Sequence, residues 1–187
     1  MNKITSVLQH RQKDVAIVCE NIHDPHNVSA MLRTCDSAGI PEVHLLYTDE
    51  EFPEMGAKSS ASARKWVKTN KVSNYDNLKQ QLKAKNCTIY ATHLNSDAIS
   101  IYDVDWTQPS AIIMGNEHRG VSKEALDISD QNIFIPMFGM VESLNVSVAT
   151  AVIIYEIVRQ RLLIGNYPNP NLEEEYLNNM LNNWLKK

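Results

Sequence analysis

The sequence lacks long apolar runs and has few cysteines. No window approaches the roughly 18 consecutive apolar residues that a membrane span requires, so no membrane partner is expected. The first residues, MNKITSVLQHRQK, contain neither a long apolar core nor a small-residue cleavage site, so we expect no signal peptide. Cys19, Cys35 and Cys87 are an odd number without metal-ligand spacing, which indicates reduced, buried thiols in a cytoplasmic protein.

Several common signatures of enzymes are also missing. The turn GNEHRG (115–120) lacks the Lys-Ser/Thr pair that follows the second glycine of a phosphate loop, and no GxGxxG follows the first strand. No Ser-His-Asp pattern with a nucleophile elbow is visible. His23 and His26 straddle a proline, and no third ligand stands at a suitable spacing. The sequence therefore predicts neither a dinucleotide site, a serine hydrolase nor a metal site.

The charge is unevenly distributed along the chain. A net charge of −4 argues weakly against a polyanion partner, but residues 58–85 contain eight basic residues and a single acid, Asp76. The basic residues are Lys58, Arg64, Lys65, Lys68, Lys71, Lys79, Lys83 and Lys85. A basic face on an acidic protein fits a docked nucleic acid, whereas a helix over 74–85 with a solvated lysine face accounts for the same charges. Charge alone does not choose between these interpretations.

Strand-like and helical segments alternate, which predicts an α/β fold with a mostly parallel, six-stranded sheet flanked by helices. The predicted strands are Val15–Glu20, Glu42–Tyr47, Trp66–Val72, Cys87–Leu94, Ala111–Met114 and Asn132–Pro136. Residues 1–165, including a short amphipathic helix within 1–13, form one predicted domain. Residues 166–187 form a helical extension that starts at Pro170 and Asn171 and carries an apolar stripe, so it serves as a packing or dimer element.

The central feature is the stretch IPMFGMVESLNVSVATAVIIYE (135–156). A strand ends there at Pro136, Gly139 permits a tight backbone, and a short polar run leads into an apolar helix. In α/β proteins, a strand that runs through a glycine-containing loop into a helix commonly forms a ligand site. Elsewhere Arg33 lies on a helix that Asn27 or Ser29 can cap.

Taken singly, the remaining candidates have ordinary structural explanations. Arg33 is typical of a stem packed on the core with its head in water. Glu117 is typical of an acid in a surface turn, and Ser143 and Asn145 are typical helix caps. Their combination with the surrounding segments is more specific than any one of them.

Three segments together resemble the motifs of the SPOUT-class RNA 2′-O-ribose methyltransferases, and the closest likeness is to the TrmH branch. They are NIHDPHNVSAMLRTCDSAG (21–39), IIMGNEHRGV (112–121) and the central stretch 135–156. This resemblance implies a deep trefoil knot in the C-terminal part of the domain. It also implies S-adenosylmethionine held by the backbone of three loops, a homodimer, and methylation of a guanosine ribose in the D-loop of tRNA.

The resemblance also implies which residues form the site. Its implied catalytic residues are Arg33, Asn27, Glu117, Ser143 and Asn145. Its implied cofactor-binding residues are Thr92, Leu94, Gly115, Ile135, Met137 and Leu144. For RNA binding we expect Arg11, Lys58, Arg64 and Lys65. Because guanidinium groups stay protonated at neutral pH, Arg33 is expected to bind a phosphate in a fork rather than to act as a base.

Two departures from the family pattern leave the RNA substrate open. Ser62 stands near a position where the family usually has glycine, and the tail beyond Gly165 is short and acidic. A ribosomal RNA ribose methyltransferase is the nearest alternative, and a non-catalytic RNA-binding protein on a knotted fold is an alternative of another class. The presence of all five implied catalytic residues argues against the non-catalytic alternative.

Overall fold

A parallel sheet of seven strands runs through the residues that this computed structural model describes, 3–52, 65–168 and 172–186. The strands are β1 (Val15–Glu20), β2 (Glu42–Leu46), β3 (Lys68–Val72), β4 (Thr88–Thr92), β5 (Ile99–Ser100), β6 (Ser110–Met114) and β7 (Gln131–Phe134). Their order across the sheet is β3-β2-β1-β6-β4-β7-β5, and every pairing is parallel. The α/β prediction is confirmed. The count of six strands was wrong, because β5 has two residues and is too short to show a periodic pattern.

Helices cover both faces of the sheet. They are α1 (Lys3–Gln9), α2 (Pro25–Ser37), α3 (Tyr75–Lys83), α4 (Lys123–Ile128), α5 (Val146–Leu163) and α6 (Glu174–Leu185). One apolar core includes residues of α2 and α5, and a second includes residues of α3 and α4. Strands β1 and β6 are buried on both faces, which explains their unbroken apolar sequences. Among the described helices, none has the length and apolar character needed to cross a membrane.

The start of α2 differs from the prediction. Asp24 is the N-cap, and its carboxylate accepts a hydrogen bond from the backbone N–H of His26, while Pro25 occupies the first helical turn. The expectation that Asn27 or Ser29 caps this helix was therefore wrong. As a consequence, the side chain of Asn27 is available for contacts outside the helix.

The loop between β7 and α5 also differs in one detail. The side chain of Asn145 caps α5 by accepting hydrogen bonds from the backbone N–H and the hydroxyl of Ser147. Gly139 does not form the tight backbone that we expected, since its φ is ordinary and a Cβ built there meets no atom within 4 Å.

The C-terminal helix α6 packs on its own chain. Trp184 is buried, its ring centroid lies 4.7 Å from that of Trp66, and the guanidinium of Arg11 lies 5.0 Å above it. Leu185, which belongs to the same predicted stripe, is exposed. The predicted start of this helix at Pro170 and Asn171 lies outside the described residues, and the described helix begins at Glu174.

A buried arginine ties the end of α5 to the start of β1. Arg161 is fully buried and donates to both carboxylate oxygens of Asp14, at 2.7 and 3.0 Å. It also donates to the side-chain oxygen of Gln12 and to the carbonyls of Trp106 and Gln108. Because these acceptors come from two separate segments, residues 12–14 and 106–108, Arg161 fixes the positions of both relative to α5.

We expect the Arg161→Met variant to lose about 3 kcal/mol of unfolding free energy, since removing one partner of a buried ion pair leaves the other without compensation. Urea denaturation followed by circular dichroism measures this loss. Arg159→Met is the matched control, because Arg159 lies on the same helix, its side chain is exposed, and its partner Glu156 keeps a hydrogen bond from Gln160 when Arg159 is removed. Equal stability of the two variants would contradict a structural role for the buried network.

His44 makes stability depend on pH. His44 lies on β2 with its ring buried, and neither ring nitrogen makes a hydrogen bond to the described residues. A carboxylate oxygen of Glu42 lies 3.5 Å from its Nε2 atom. Burial lowers the pKa of His44 to about 4, and the charge of Lys68 acts in the same direction. In the unfolded chain the pKa is near 6.5. The neutral ring therefore contributes stability that is fully present above pH 6.5 and is lost as the pH falls towards 4.

Between pH 7 and pH 5 we expect His44 to account for a loss of about 2 kcal/mol of unfolding free energy. The measurement is urea denaturation at both pH values, for the wild type and for His44→Leu. Groups other than His44 titrate in both proteins. The difference between the losses of unfolding free energy in the wild type and in His44→Leu therefore gives the contribution of His44. Identical losses in the two proteins would rule out this assignment.

Candidate active site

A cleft of about 1080 Å³ opens at the carboxyl edge of the sheet. Its walls come from the segments that follow β4, β6 and β7 and from the first turns of α5. In parallel α/β sheets, ligands bind at this edge. Clefts of roughly 300–1000 Å³ hold ligands of nucleoside size or larger, so the volume suits such a ligand.

All six residues predicted to bind a cofactor line this one cleft. They are Thr92, Leu94, Gly115, Ile135, Met137 and Leu144. The structure therefore brings together residues from three loops that are separated by up to about fifty positions in the sequence. Their roles toward a cofactor stay a prediction.

The turn after β6 is compressed. A Cβ built on Gly115 would lie 2.3 Å from both the carbonyl carbon of Gly120 and the backbone nitrogen of Val121, so the turn requires glycine. Asn116 closes the turn, because its side-chain oxygen accepts hydrogen bonds from the backbone N–H groups of His118 and Arg119. Its side-chain nitrogen donates to the carbonyl of Asn21, which fixes the turn against the segment after β1.

Glu117 projects from this turn towards the start of α2. Its carboxylate accepts hydrogen bonds from the backbone N–H groups of His23 and Asp24, at 2.9 and 3.1 Å, and from the side chain of Asn27 at 2.8 Å. Partial burial acts to raise the pKa of Glu117, but these hydrogen bonds outweigh it and the pKa is lowered. Glu117 is therefore an ionised acceptor at neutral pH, and it positions its neighbours instead of donating a proton.

Asn27 also contacts the loop between β7 and α5. Its side-chain oxygen accepts a hydrogen bond from the side chain of Asn145, at 3.1 Å. One continuous hydrogen-bonded path therefore runs through Glu117, Asn27 and Asn145. It joins the three segments that resemble the methyltransferase motifs. Ser143, the other implied catalytic residue of that loop, lines the cleft beside Asn145.

Arg33 is not brought to the cleft of its own chain. It lies on α2 with an exposed side chain and is not among the lining residues. Within the described ranges, no hydrogen bond or ion pair engages its guanidinium. The group is therefore available to a ligand or partner from outside the chain.

The predicted RNA-binding residues have different outcomes. The prediction for Arg11 was wrong, because its side chain is fully buried and donates to the carboxylate of Asp36 at 2.8 Å and to the carbonyl of Ile40. Lys58 and Arg64 lie outside the described residues. The ammonium of Lys65 lies 4.7 Å from the ring of Trp66, and its role toward RNA stays a prediction.

The cysteines take no part in this site. All three are free and buried, as the sequence predicts. Burial, with the negative charge of Glu117 in addition, raises the pKa of Cys19 to about 12, so its thiol is not a nucleophile. Among the described residues, no three potential ligands lie close enough to hold a metal ion.

Sequence reasoning missed several residues of the cleft. His118 and Arg119 line it although neither was predicted to do so, whereas His93 and Asn116, which also line it, lie in loops that the resemblance assigns to the cofactor. His118 directly follows Glu117, and Arg119 lies two positions after Glu117, in the loop after β6. Their adjacency was a usable signal, but the direction of each side chain depends on how the compressed turn folds.

The cleft fits S-adenosylmethionine, the cofactor that the resemblance implies. The turn at Gly115 leaves no room for a side chain and lets the backbone border the cleft closely. Ile101, Ile133 and Leu144 provide apolar surface for an adenine ring or a thioether chain. Thr92 and Asn145 add a small number of polar groups to the lining.

The chain belongs to the SpoU rRNA Methylase family, whose pattern matches residues 14–155. Among individual relatives, it is 44% identical to the tRNA (guanosine(18)-2′-O)-methyltransferase of Thermus thermophilus, over 99% of this chain and 95% of that one. The family predicted from the three motifs is thereby confirmed.

Solved structures agree with this assignment. The A. aeolicus TrmH/SpoU tRNA modifying enzyme is 37% identical and superposes with a TM-score of 0.90, covering 98% of this chain and 93% of the other. The SpoU methyltransferase AviRb from Streptomyces viridochromogenes, solved with AdoMet, shares the fold at 24% identity and a TM-score of 0.73, over 81% of this chain and 62% of that one. The trefoil knot itself stays a prediction with which this fold is consistent.

Proposed function

We propose that the protein transfers a methyl group from S-adenosylmethionine to the ribose 2′-hydroxyl of guanosine 18 in the D-loop of tRNA. The observation that carries the proposal is the cleft, in which the six implied cofactor residues meet the Glu117–Asn27–Asn145 path. The near full-length similarity to the T. thermophilus enzyme supports tRNA as the substrate. A tRNA substrate also supports a cytoplasmic location.

The chemistry divides between the cofactor and the chain. S-adenosylmethionine, when bound in the cleft, supplies an electrophilic methyl group on a sulfonium. The chain must hold one ribose oxygen in line with that methyl group and provide an exit for its proton. Arg33 binds the phosphate beside the target ribose in a fork, which keeps a phosphate oxygen close to the 2′-hydroxyl as a path for the proton.

The hydrogen-bonded path holds the other parts in place. Ionised Glu117 fixes the backbone at His23 and Asp24, and with it the start of α2. Asn27 and Asn145 join that helix to the loop that borders the cleft. Ser143 stands at the cleft wall, where its hydroxyl contacts the substrate ribose or the loop backbone.

A homodimer completes this site. Arg33 does not line the cleft of its own chain, so the phosphate-binding group comes from a second copy. Apolar side chains on the central loop and α5 are exposed in the single chain, among them Phe138 at 97% and Met140 at 100%. Val148, Tyr155 and Leu163 extend this exposed surface along α5. Such a patch is typical of a protein interface.

A methylation assay tests the proposal. Purified protein is incubated with S-adenosylmethionine and unmodified tRNA transcripts, and ribose-methylated nucleosides are identified by mass spectrometry after digestion. We expect 2′-O-methylguanosine at position 18. Analytical ultracentrifugation measures the oligomeric state separately. An enzyme that is active as a monomer would refute the site shared between two chains without refuting the activity.

Ribosomal RNA is the alternative substrate, because the family is named for rRNA methylation. The same assay with unmodified ribosomal RNA decides between the two substrates. Methylation of ribosomal RNA alone would replace the tRNA proposal. No product on either RNA would favour a non-catalytic RNA-binding protein.

A further inference from the structure

Five side chains at the mouth of the cleft have no part in the path described above. They are His23, Asp49, Glu50, His118 and Arg119, and we call them the rim cluster. His118 and Arg119 line the cleft, and the other three surround them. The cluster combines two aromatic rings with one guanidinium and two carboxylates.

The two imidazole rings project from fixed backbone. Their centroids are 6.4 Å apart with an interplanar angle of 58°, and the His23 side chain is 66% exposed. The backbone N–H of His23 donates to Glu117, and that of His118 donates to Asn116. Because these contacts hold the backbone, each ring has a fixed position from which it can contact a flat ligand.

Arg119 is held beside these rings. Its guanidinium lies 3.1 Å from a carboxylate oxygen of Glu50 and 4.0 Å from one of Asp49. The Nδ1 atom of His23 lies 3.5 Å from the other oxygen of Glu50. An exposed ion pair of this kind adds little stability. Its effect is to restrain a half-exposed guanidinium on a residue that lines the cleft.

We propose that the rim cluster binds the base of the target nucleotide and that Arg119 selects guanine over adenine; this inference rests on the proposed function. The base is attached to the ribose carbon next to the one that carries the 2′-hydroxyl, so it must lie near the cleft. Guanine presents O6 and N7 as two acceptors, which match the guanidinium fork. Adenine presents an amino donor in place of O6, which opposes the fork.

His23 and His118 supply the stacking part of recognition. Single-stranded bases are commonly bound by stacking on aromatic side chains, including histidine, with hydrogen bonds to one base edge. Stacking tolerates any base, whereas the guanidinium distinguishes them. In the rim cluster, the two histidines thus provide affinity for a base, and Arg119 provides selectivity among bases.

The experiment uses full-length tRNA assembled by ligation with guanosine, inosine or adenosine at the target position. Inosine keeps O6 and N7 but lacks the 2-amino group. We expect the wild type to methylate guanosine and inosine with similar kcat/KM, and adenosine roughly 10- to 100-fold more slowly. In Arg119→Ala, kcat/KM for guanosine and inosine should fall to the adenosine value, so that the ratio approaches one.

Lys83→Ala is the matched control. Lys83 also forms a partly exposed ion pair, 2.6 Å from Asp130, but at the amino edge of the sheet, opposite the cleft. Whatever its effect on RNA affinity, it should leave the guanosine-to-adenosine ratio at the wild-type value. Calorimetric binding of S-adenosylmethionine to Arg119→Ala verifies that the cleft is intact.

The stacking role has its own readout. His23→Ala and His118→Ala should raise KM for all three RNAs alike, and His23→Phe should restore the wild-type KM, because it keeps a flat ring. Failure of phenylalanine to restore KM would refute stacking.

The possible results separate this inference from the proposed function. No methylation of guanosine tRNA by the wild type would refute the proposed function. Normal methylation with retained discrimination in Arg119→Ala would refute the inference alone. Rejection of inosine by the wild type would also refute it, because the 2-amino group would then be the feature that is read.

Discussion

Replacing Arg33 by alanine is expected to slow methyl transfer to tRNA by roughly 100- to 1000-fold, the usual cost of removing one donor that acts on the reacting groups. Binding of S-adenosylmethionine should be unchanged, since Arg33 does not line the cleft. Its guanidinium is exposed and has no partner in the described ranges, so its loss leaves no buried group without compensation. Single-turnover kinetics and calorimetry measure the two quantities on the same protein.

Arg33→Lys distinguishes a fork from a simple charge. Lysine keeps the positive charge but cannot bind a phosphate with two parallel hydrogen bonds, so activity should stay well below that of the wild type. Turnover near the wild-type rate in Arg33→Ala would exclude Arg33 from the reaction and remove the main reason for a site shared between two chains.

Gly115→Ala is expected to weaken S-adenosylmethionine binding by about tenfold or more, because overpacking a site with no free space costs roughly 1–3 kcal/mol. The added Cβ would meet backbone atoms of Gly120 and Val121 at 2.3 Å, and backbone cannot move aside as a flexible side chain can. The turn must open, which displaces Asn116 and Glu117 from their contacts. Calorimetry measures the affinity, and thermal unfolding checks that the chain remains folded.

Gly139→Ala provides the matched control for this variant. Gly139 lies in the cleft wall as well, but a Cβ there meets nothing within 4 Å. We expect its cofactor affinity to remain near the wild-type value. Equal losses in both variants would mean that any change in these loops disturbs the cleft, and the compressed turn would not be the cause.

Local patterns predicted the strands that carry the site, and they did so for a physical reason. Strand β1 was predicted with its observed bounds. It is buried on both faces, and its first five residues, Val15–Cys19, are therefore all apolar. The N-cap of α2 at Asp24 was not predicted, because several neighbouring side chains are able to cap a helix. Which of them does so depends on the turn at Pro25.

Arg11 shows the limit of reading charge from sequence. The sequence led us to expect Arg11 on an RNA-binding surface, yet the fold places Asp36 and the ring of Trp184 beside it and removes it from solvent. Both partners come from distant segments, so no local pattern contains the information. The same holds for His44, whose burial is set by the packing of β2 and β3.

By itself, the sequence determined the α/β class, because strand periodicity and loop composition are local properties. It also contained the three motifs, whose resemblance to a known family implied the six cofactor residues that are found in the cleft lining. The tertiary structure decided how these parts meet. It joined Glu117, Asn27 and Asn145 into one path, it left Arg33 outside the lining of its own cleft, and it gathered the rim cluster. These outcomes depend on contacts between residues that are 69 to 118 positions apart in the sequence. The order of the strands in the sheet brings these segments together, and no single segment encodes that order.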